Sequence, residues 1–190
     1  MEQKFDFVEV TLEPEDYDKV KEVYRLHKEQ ASKLFDLSSN IVTDEDIMDY
    51  IKVRITYDIV LLAIDKETNH YSGCVILQDP IVYNDRIVNM ECHLVVGKRY
   101  WGKNSRQIIF DCYKYLKDNM KPIDRLECCV PSNNYGIIKL LKDVGFKVEG
   151  TLKNKLIFRD KNNKWVRKKL HLILDMLKWK IPLGLHKVEK

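Results

Sequence analysis

Residues Val88 to Met120 read V-N-M-E-C-H-L-V-V, then G-K-R-Y-W-G-K-N-S, then R-Q-I-I-F-D-C-Y-K-Y-L-K-D-N-M. The first part is an apolar run with β-branched residues, charged only at Glu91, and it predicts a long strand. The last part carries Ile108, Ile109, Cys112, Tyr115 and Leu116 at helical spacing. Between them a short loop holds Gly97 and Gly102 with the cations Lys98, Arg99 and Lys103. A strand that passes through a basic, glycine-bearing turn into a helix aims unsatisfied N–H groups and a positive dipole end at one place, which suits a phosphate. The loop has neither the G-x-x-x-x-G-K-[ST] nor the G-x-G-x-x-G spacing. Its residues therefore also fit an ordinary strand-to-helix turn with solvated lysines.

Upstream, Phe5 to Leu12 alternates as a strand. Pro14 opens a helix whose first turn holds Glu15 and Asp16, where carboxylates answer the dipole. Val20, Val23, Tyr24, His27, Ala31, Leu34 and Phe35 share a face of that helix. After the polar break D-L-S-S-N, Thr43 with Asp46 resembles a capping box opening a second helix with Ile47, Met48, Tyr50 and Ile51. Ile55 to Ile64 predicts a strand, and Tyr71 to Leu77 returns from it as a hairpin. Asp79-Pro80 reads as a break. Ile81 to Tyr83, Asn84-Asp85, and Arg86 onward read as a further hairpin into the central strand.

Downstream, Lys121-Pro122 ends the helix. Leu126 to Val130 is a short buried strand, expected parallel to its predecessor because a helix joins them. P-S-N-N caps a helix with Ile137, Ile138, Leu140, Leu141 and Val144, stopped at Gly145. Phe146 to Phe158 and Trp165 to Met176 form a closing hairpin through R-D-K-N-N-K. No repeat, low-complexity tract or linker interrupts this order. One mixed sheet with helices on both faces follows. Residues 1–176 are expected to be a single domain, with 177–190 an irregular tail.

The 190 residues suit one domain, and 45% hydrophobic residues supply a sizeable core. A net charge of +4 is too small to argue for nucleic acid. No long uncharged apolar run reads as a membrane span, and M-E-Q-K-F-D-F lacks a signal-peptide layout. Cys74, Cys92, Cys112, Cys128 and Cys129 contain no C-x-x-C pair. They read as reduced core residues of a cytoplasmic protein, with no metal site.

W-G-K after a long strand, followed by N-N-Y-G-I-I-K-L-L-K-D-V-G-F-K-V-E-G, resembles the GNAT acetyltransferases. The similarity extends to the branch of ribosomal-protein Nα-acetyltransferases. There, a strand ending E-I-G-Y-W-L leads to P-E-Y-W-G-K-G. Here Glu91 to Val96 leads to Lys98-Arg99-Tyr100-Trp101-Gly102-Lys103. The branch's asparagine, helix and G-F-x-x-E-G fall on Asn134, the helix, and Gly145 to Gly150, and its R-D-G-x-W-V hairpin on Arg159-Asp160 and Trp165-Val166. The resemblance spans about residues 5 to 176. It implies an α/β (α+β mixed) fold with one central, mostly antiparallel sheet of about seven strands. It also implies transfer of an acetyl group from acetyl-CoA, without metal, to a primary amine: a protein N-terminus, a polyamine or another small amine.

By the same resemblance, backbone groups of Leu94, Val95 and Val96 hold the pantetheine arm and polarise the thioester. Trp101, Gly102, Lys103, Asn104, Ser105 and Arg106 form the pyrophosphate loop, and Asn134 contacts the cofactor arm. The family loop is Q/R-x-x-G-x-G/A. Trp101 stands for Q/R here, Asn104 for the first small residue, and Arg106 for the second. Asn tolerates a left-handed backbone, and a guanidinium at the helix start can meet a phosphate itself.

Glu91 aligns with the branch's strand glutamate and shares a strand face with His93, so the two are candidate base and substrate-orienting groups. The bland reading is that Glu91 pairs with a cation and His93 is structural. Ser132 and Tyr135 are candidate proton donors to the leaving thiolate. Leu141 occupies the position where other branches carry such a tyrosine. Asp44, Glu45, Asp46 and Asp49 read first as carboxylates at a helix start, and second as an attractor for a cationic substrate. Lys153, Lys155, Arg159, Lys161, Lys164, Arg167, Lys168 and Lys169 make the last hairpin basic, a solvated face or a surface for an acidic partner. Two alternatives stand beside the enzyme: a GNAT-fold binding module without catalysis, and a nucleic-acid-binding domain, against which the near-balanced charge argues. A homodimer is left open.

Overall fold

A computed structural model describes residues 2–30, 43–131, 134–159 and 165–175, the last two strands from residue 152 on as backbone. Alternation along β2 (Ile59–Asp65) sorts the molecule into layers. Val60 and Leu62 turn to one core, Leu61 and Ala63 to the other, and all four are fully buried. Opposite faces of one strand feed two cores because successive side chains point opposite ways. The first core holds α1 (Tyr17–Gln30) and α2 (Asp44–Tyr57) through Val20, Val23, Leu26, Ile47 and Ile51. The second holds α3 (Lys103–Asn119) and α4 (Tyr135–Asp143) through Ile108, Cys112, Leu116 and Leu141. Each such aliphatic side chain contributes about 1.5–3 kcal/mol by leaving water.

The sheet has seven strands, with β1 (Phe5–Glu9), β3 (Tyr71–Tyr83), β4 (Arg86–Val96), β5 (Leu126–Pro131), β6 (Lys147–Arg159) and β7 (Trp165–Asp175) beside β2. Their order is β1-β2-β3-β4-β5-β7-β6. Every neighbouring pair is antiparallel except β4 and β5. The expected mixed, mostly antiparallel sheet with helices on both faces is therefore present, including the parallel pair predicted from the intervening helix.

Local chemistry explains most element ends. Thr43 and Asp46 form a reciprocal capping box at the start of α2. Pro14 opens a single 3-10 turn ahead of α1. Asn84 and Asp85 both have positive φ in the β3–β4 turn, the conformation that a tight hairpin requires. The buried Asp111 carboxylate accepts the backbone N–H groups of Lys4 and Phe5, each at 2.9 Å, and so docks β1 on α3.

Two expected boundaries are corrected. Ile55 does not begin a strand: α2 runs on to Tyr57, and Ile55 is buried on the same helical face as Ile47 and Ile51. The four-residue spacing of these isoleucines outweighs the strand preference of Ile-Thr-Tyr. Nor does β3 stop at Asp79-Pro80. The register shifts between Gln78 and Ile81, Asp79 takes φ 49°, and the strand resumes to Tyr83. A bulge is how a strand accommodates a proline without an N–H.

Ala31, Leu34, Phe35, the polar break that follows them, Ser132, the 160–164 turn and the 177–190 tail lie outside the described residues, as do the side chains of the basic hairpin.

Candidate functional site

The parallel ladder between β4 and β5 is short. It holds Met90 opposite Leu126 and Glu91 opposite Glu127, and then it ends. Both strands continue, β4 to Val96 and β5 to Pro131. Beyond residues 91 and 127 the two strands part, and the sheet opens at their C-terminal ends.

Backbone direction settles what faces that opening. Met90 donates its N–H to Arg125 on the β5 side, and Gly97 donates to Ser72 on the β3 side. Directions alternate along a strand. Cys92, Leu94 and Val96 therefore turn their N–H and C=O groups toward the opening, and Val95 turns its own toward β3. The Val96 carbonyl is already engaged, accepting from Gln30 Nε2 at 2.6 Å and from Trp101 Nε1 at 2.9 Å. These two bonds pin the strand end to α1 and to the following loop.

That loop makes one 3-10 turn, Lys98–Tyr100, and enters α3 through Gly102. Tyr100 is buried edge-to-face against Phe5, while Trp101 is about half exposed. Gly102 has φ 85° and ψ −125°, a region that side chains disfavour. The N-cap residue, Gly102, offers no side chain to cap α3. The first-turn amides of Lys103, Asn104 and Ser105 are left to other partners. Among the described residues, a Cβ built on Gly102 would meet nothing within 4 Å. Ser105 is buried and donates its hydroxyl to the Tyr100 carbonyl at 3.1 Å, which holds the loop rather than a ligand.

Arg106 does not fill this space. Its guanidinium donates to Asp143 Oδ2 at 2.9 Å and bridges the start of α3 to the end of α4. Asn134 caps α4, its side-chain oxygen accepting from the Ile137 amide. Tyr135 is exposed, and Leu141 is buried in the α3–α4 core.

The opposite face of the opening is polar. Glu91 Oε1 and His93 Nε2 lie 3.3 Å apart, both partly buried. Glu127 lies beside Glu91 in register, and Arg125 contacts Glu127 at 3.1 Å and Glu149 at 3.3 Å. Glu127, Arg125, Gln30 and Asp143 belong to this neighbourhood but escaped the sequence reading. Only the strand pairing brings Glu127 to Glu91, and only helix packing brings Gln30 to Val96. Of the acidic group on α2, Asp46 serves the capping box and Asp44 pairs with Lys28. Lys28 donates to Asp44 and so holds that carboxyl below its ordinary range.

Among the described residues, no group of three or more His, Cys, Asp and Glu side chains could hold a metal ion. No described helix is long and apolar enough to cross a membrane.

No family model matches the chain, and no curated protein matches it in sequence. Solved structures do match it. A GNAT-family acetyltransferase from Bacillus anthracis aligns at 15% identity and TM-score 0.64, over 93% of this chain and 96% of its own. The Salmonella typhimurium acetyltransferase that modifies the N-terminal serine of ribosomal protein L7/L12 aligns at 11% and 0.71, over 93% and 97%. The yncA protein of Salmonella typhimurium, solved with its cofactor acetyl-CoA, aligns at 13% and 0.62, over 93% and 96%. At these identities the likeness is one of fold, and across nearly its whole length this chain is folded as the GNAT acetyltransferases are.

Proposed function

We propose that the protein is an acetyl-CoA-dependent N-acetyltransferase, in which a primary amine attacks the thioester directly within a ternary complex. The observation that carries this reading is the early end of the β4–β5 ladder beside an uncapped helix start. Together they offer a strip of unladdered backbone leading from the first-turn amides of α3, which Gly102 does not cap. The residues present fit the cofactor. An extended amide arm can lie along Cys92, Leu94 and Val96 as a further strand would. A diphosphate can meet the amides of Lys103, Asn104 and Ser105 at the positive end of α3, beside Lys98, Arg99 and Lys103. Trp101, Gly102 and Arg106 border that position, and Asn134 lies at the start of the neighbouring helix.

Acetyl-CoA supplies an acyl group activated as a thioester. The chain supplies position and proton transfer. The backbone N–H groups facing the opening stabilise negative charge on the thioester oxygen. An ammonium must lose a proton before it can attack, and the Glu91–His93 pair on the acceptor face accepts it, directly or through water. Because one structural neighbour modifies a protein N-terminus, a peptide α-amine is the first acceptor to try, with polyamines beside it.

Isothermal calorimetry with acetyl-CoA, followed by a thiol-release assay across an amine panel, tests the reading. Binding in the micromolar range and free CoA with at least one amine are expected. Absence of heat at high micromolar cofactor sinks it. Heat without CoA release for any amine favours the binding module.

A further inference from the structure

Two of the five cysteines sit where the sheet opens. Cys92 follows Glu91 and Cys128 follows Glu127, so the pair is next in register after the last laddered residues. Laddered strands run about 5 Å apart and disulfides form across Cα separations of about 4.4–6.8 Å, so a pair one residue past the end of the ladder starts close to that range. Both side chains point to the same face, with Cys128 in the α3–α4 core and Cys92 packed against it. Neither thiol is in a disulfide. Cys92 is partly exposed, whereas Cys128 is 5% exposed.

The two sulfurs are unequal. The neighbouring Cys128 thiol, against the opposing effect of burial, holds Cys92 below the ordinary thiol range. The same contact, with burial, pushes Cys128 well above it. One thiol is thereby suited to attack and the other to wait.

We propose that Cys92 and Cys128 are an oxidation site, forming a disulfide across the base of the β4–β5 opening. The Cys92 thiolate attacks a small disulfide such as glutathione disulfide. The oxidant's S–S bond breaks, a mixed disulfide forms at Cys92, and one glutathione leaves as a thiol carrying the first proton. Cys128 then gives up its proton, its sulfur attacks the Cys92 sulfur, and the second glutathione leaves with that proton. Two protein thiols become one disulfide, and one small disulfide becomes two thiols. The bond ties the strands together two residues before Leu94. Resting on the acetyl-CoA reading, this tie closes the base of the opening to the thioester.

The test uses the full chain under native conditions with graded glutathione disulfide, then denaturation, alkylation and peptide mapping. Two of the five thiols should be lost, with a mass decrease of two hydrogen atoms and a peptide joining Cys92 to Cys128. Cys129→Ser should keep that link, and Cys128→Ser should abolish it. Five alkylatable thiols, a link to Cys112 or Cys129, or a glutathione adduct that persists on Cys92 would overturn the site. Mapping of the native chain needs no variant, so a misfolding variant does not mask the answer. Calorimetry on the reduced and oxidised forms then separates the two readings. Heat with the reduced form, lost on oxidation and restored by dithiothreitol, supports the closure. Equal heat in both forms overturns the closure, whereas no heat with the reduced form counts against the acetyl-CoA reading and leaves the mapped link standing.

Discussion

Glu91 and Gly102 can each be removed by one substitution, and the two removals should have different signatures. Glu91→Gln keeps size and hydrogen bonding but cannot take a proton. If the Glu91–His93 pair draws the proton from the acceptor, kcat/KM should fall about 10²–10⁴-fold, and acetyl-CoA affinity should stay within error. Steady-state kinetics beside calorimetry checks both halves; a variant of wild-type rate would return Glu91 to a structural role. Gly102→Ala acts on backbone. An alanine held at φ 85° and ψ −125° is strained, by about 1–3 kcal/mol. Relaxing that strain shifts the first turn of α3. Denaturant unfolding should show the loss of stability, and acetyl-CoA binding should weaken with it. A stable variant with weak binding would mean that the shifted amides alone carry the effect.

The elements follow from local chemistry where local chemistry is strong. The Thr43–Asp46 box, the Asn84-Asp85 turn, the Asn134 cap and the parallel β5 were all readable, because each depends on residues within a few positions or on chain connectivity. The α2–β2 boundary was not. Ile55 serves either period, and only the core beneath it selects the helix. Nor was the bulge at Asp79-Pro80 readable, since ladder bonds on both sides of it carry the strand through. The phosphate-suited loop could be read as one continuous stretch. The parting of β4 from β5 has no signature in either strand, so Glu127 and the Cys92–Cys128 contact stayed hidden until the register was known. Asp111 illustrates the same limit: nothing in the α3 sequence says that its carboxylate holds β1. Asp111→Ala strands the Lys4 and Phe5 amides, an expected cost of about 1–3 kcal/mol. Hydrogen exchange should show β1 losing protection ahead of β2. Simultaneous loss along both strands would mean that the Asp111 bonds are not what anchors the edge.

At the scale of the whole molecule, acid should act on the α1–α2 layer through two paired carboxyls. The α1–α2 layer is fastened by carboxylates. The buried Asp16 accepts from the Thr11 amide at 2.8 Å and from Thr11 Oγ1, and pairs with Lys19. Asp44 pairs with Lys28 and so links α2 to α1. Both carboxyls lie below their ordinary value of 3.8, through donation from Lys19 and Lys28 first. A carboxyl depressed in the folded state adds stability that is fully present above its unfolded value and lost as pH falls through its folded value. The partner lysines lie above 10.5 and add stability that is lost as pH rises beyond that point. Between these limits the layer should hold. As pH falls past 3.8 and these two carboxyls take up protons, the layer should loosen. Asp16→Asn separates this account from general acid unfolding. The amide keeps an acceptor for Thr11 but carries no charge for Lys19, so the variant should be less stable near neutrality and change less between pH 5 and pH 3 than the native chain. Urea titrations across that window measure the two slopes. Parallel slopes would show that Asp16 does not set the acid response and that the sum of exposed carboxylates does.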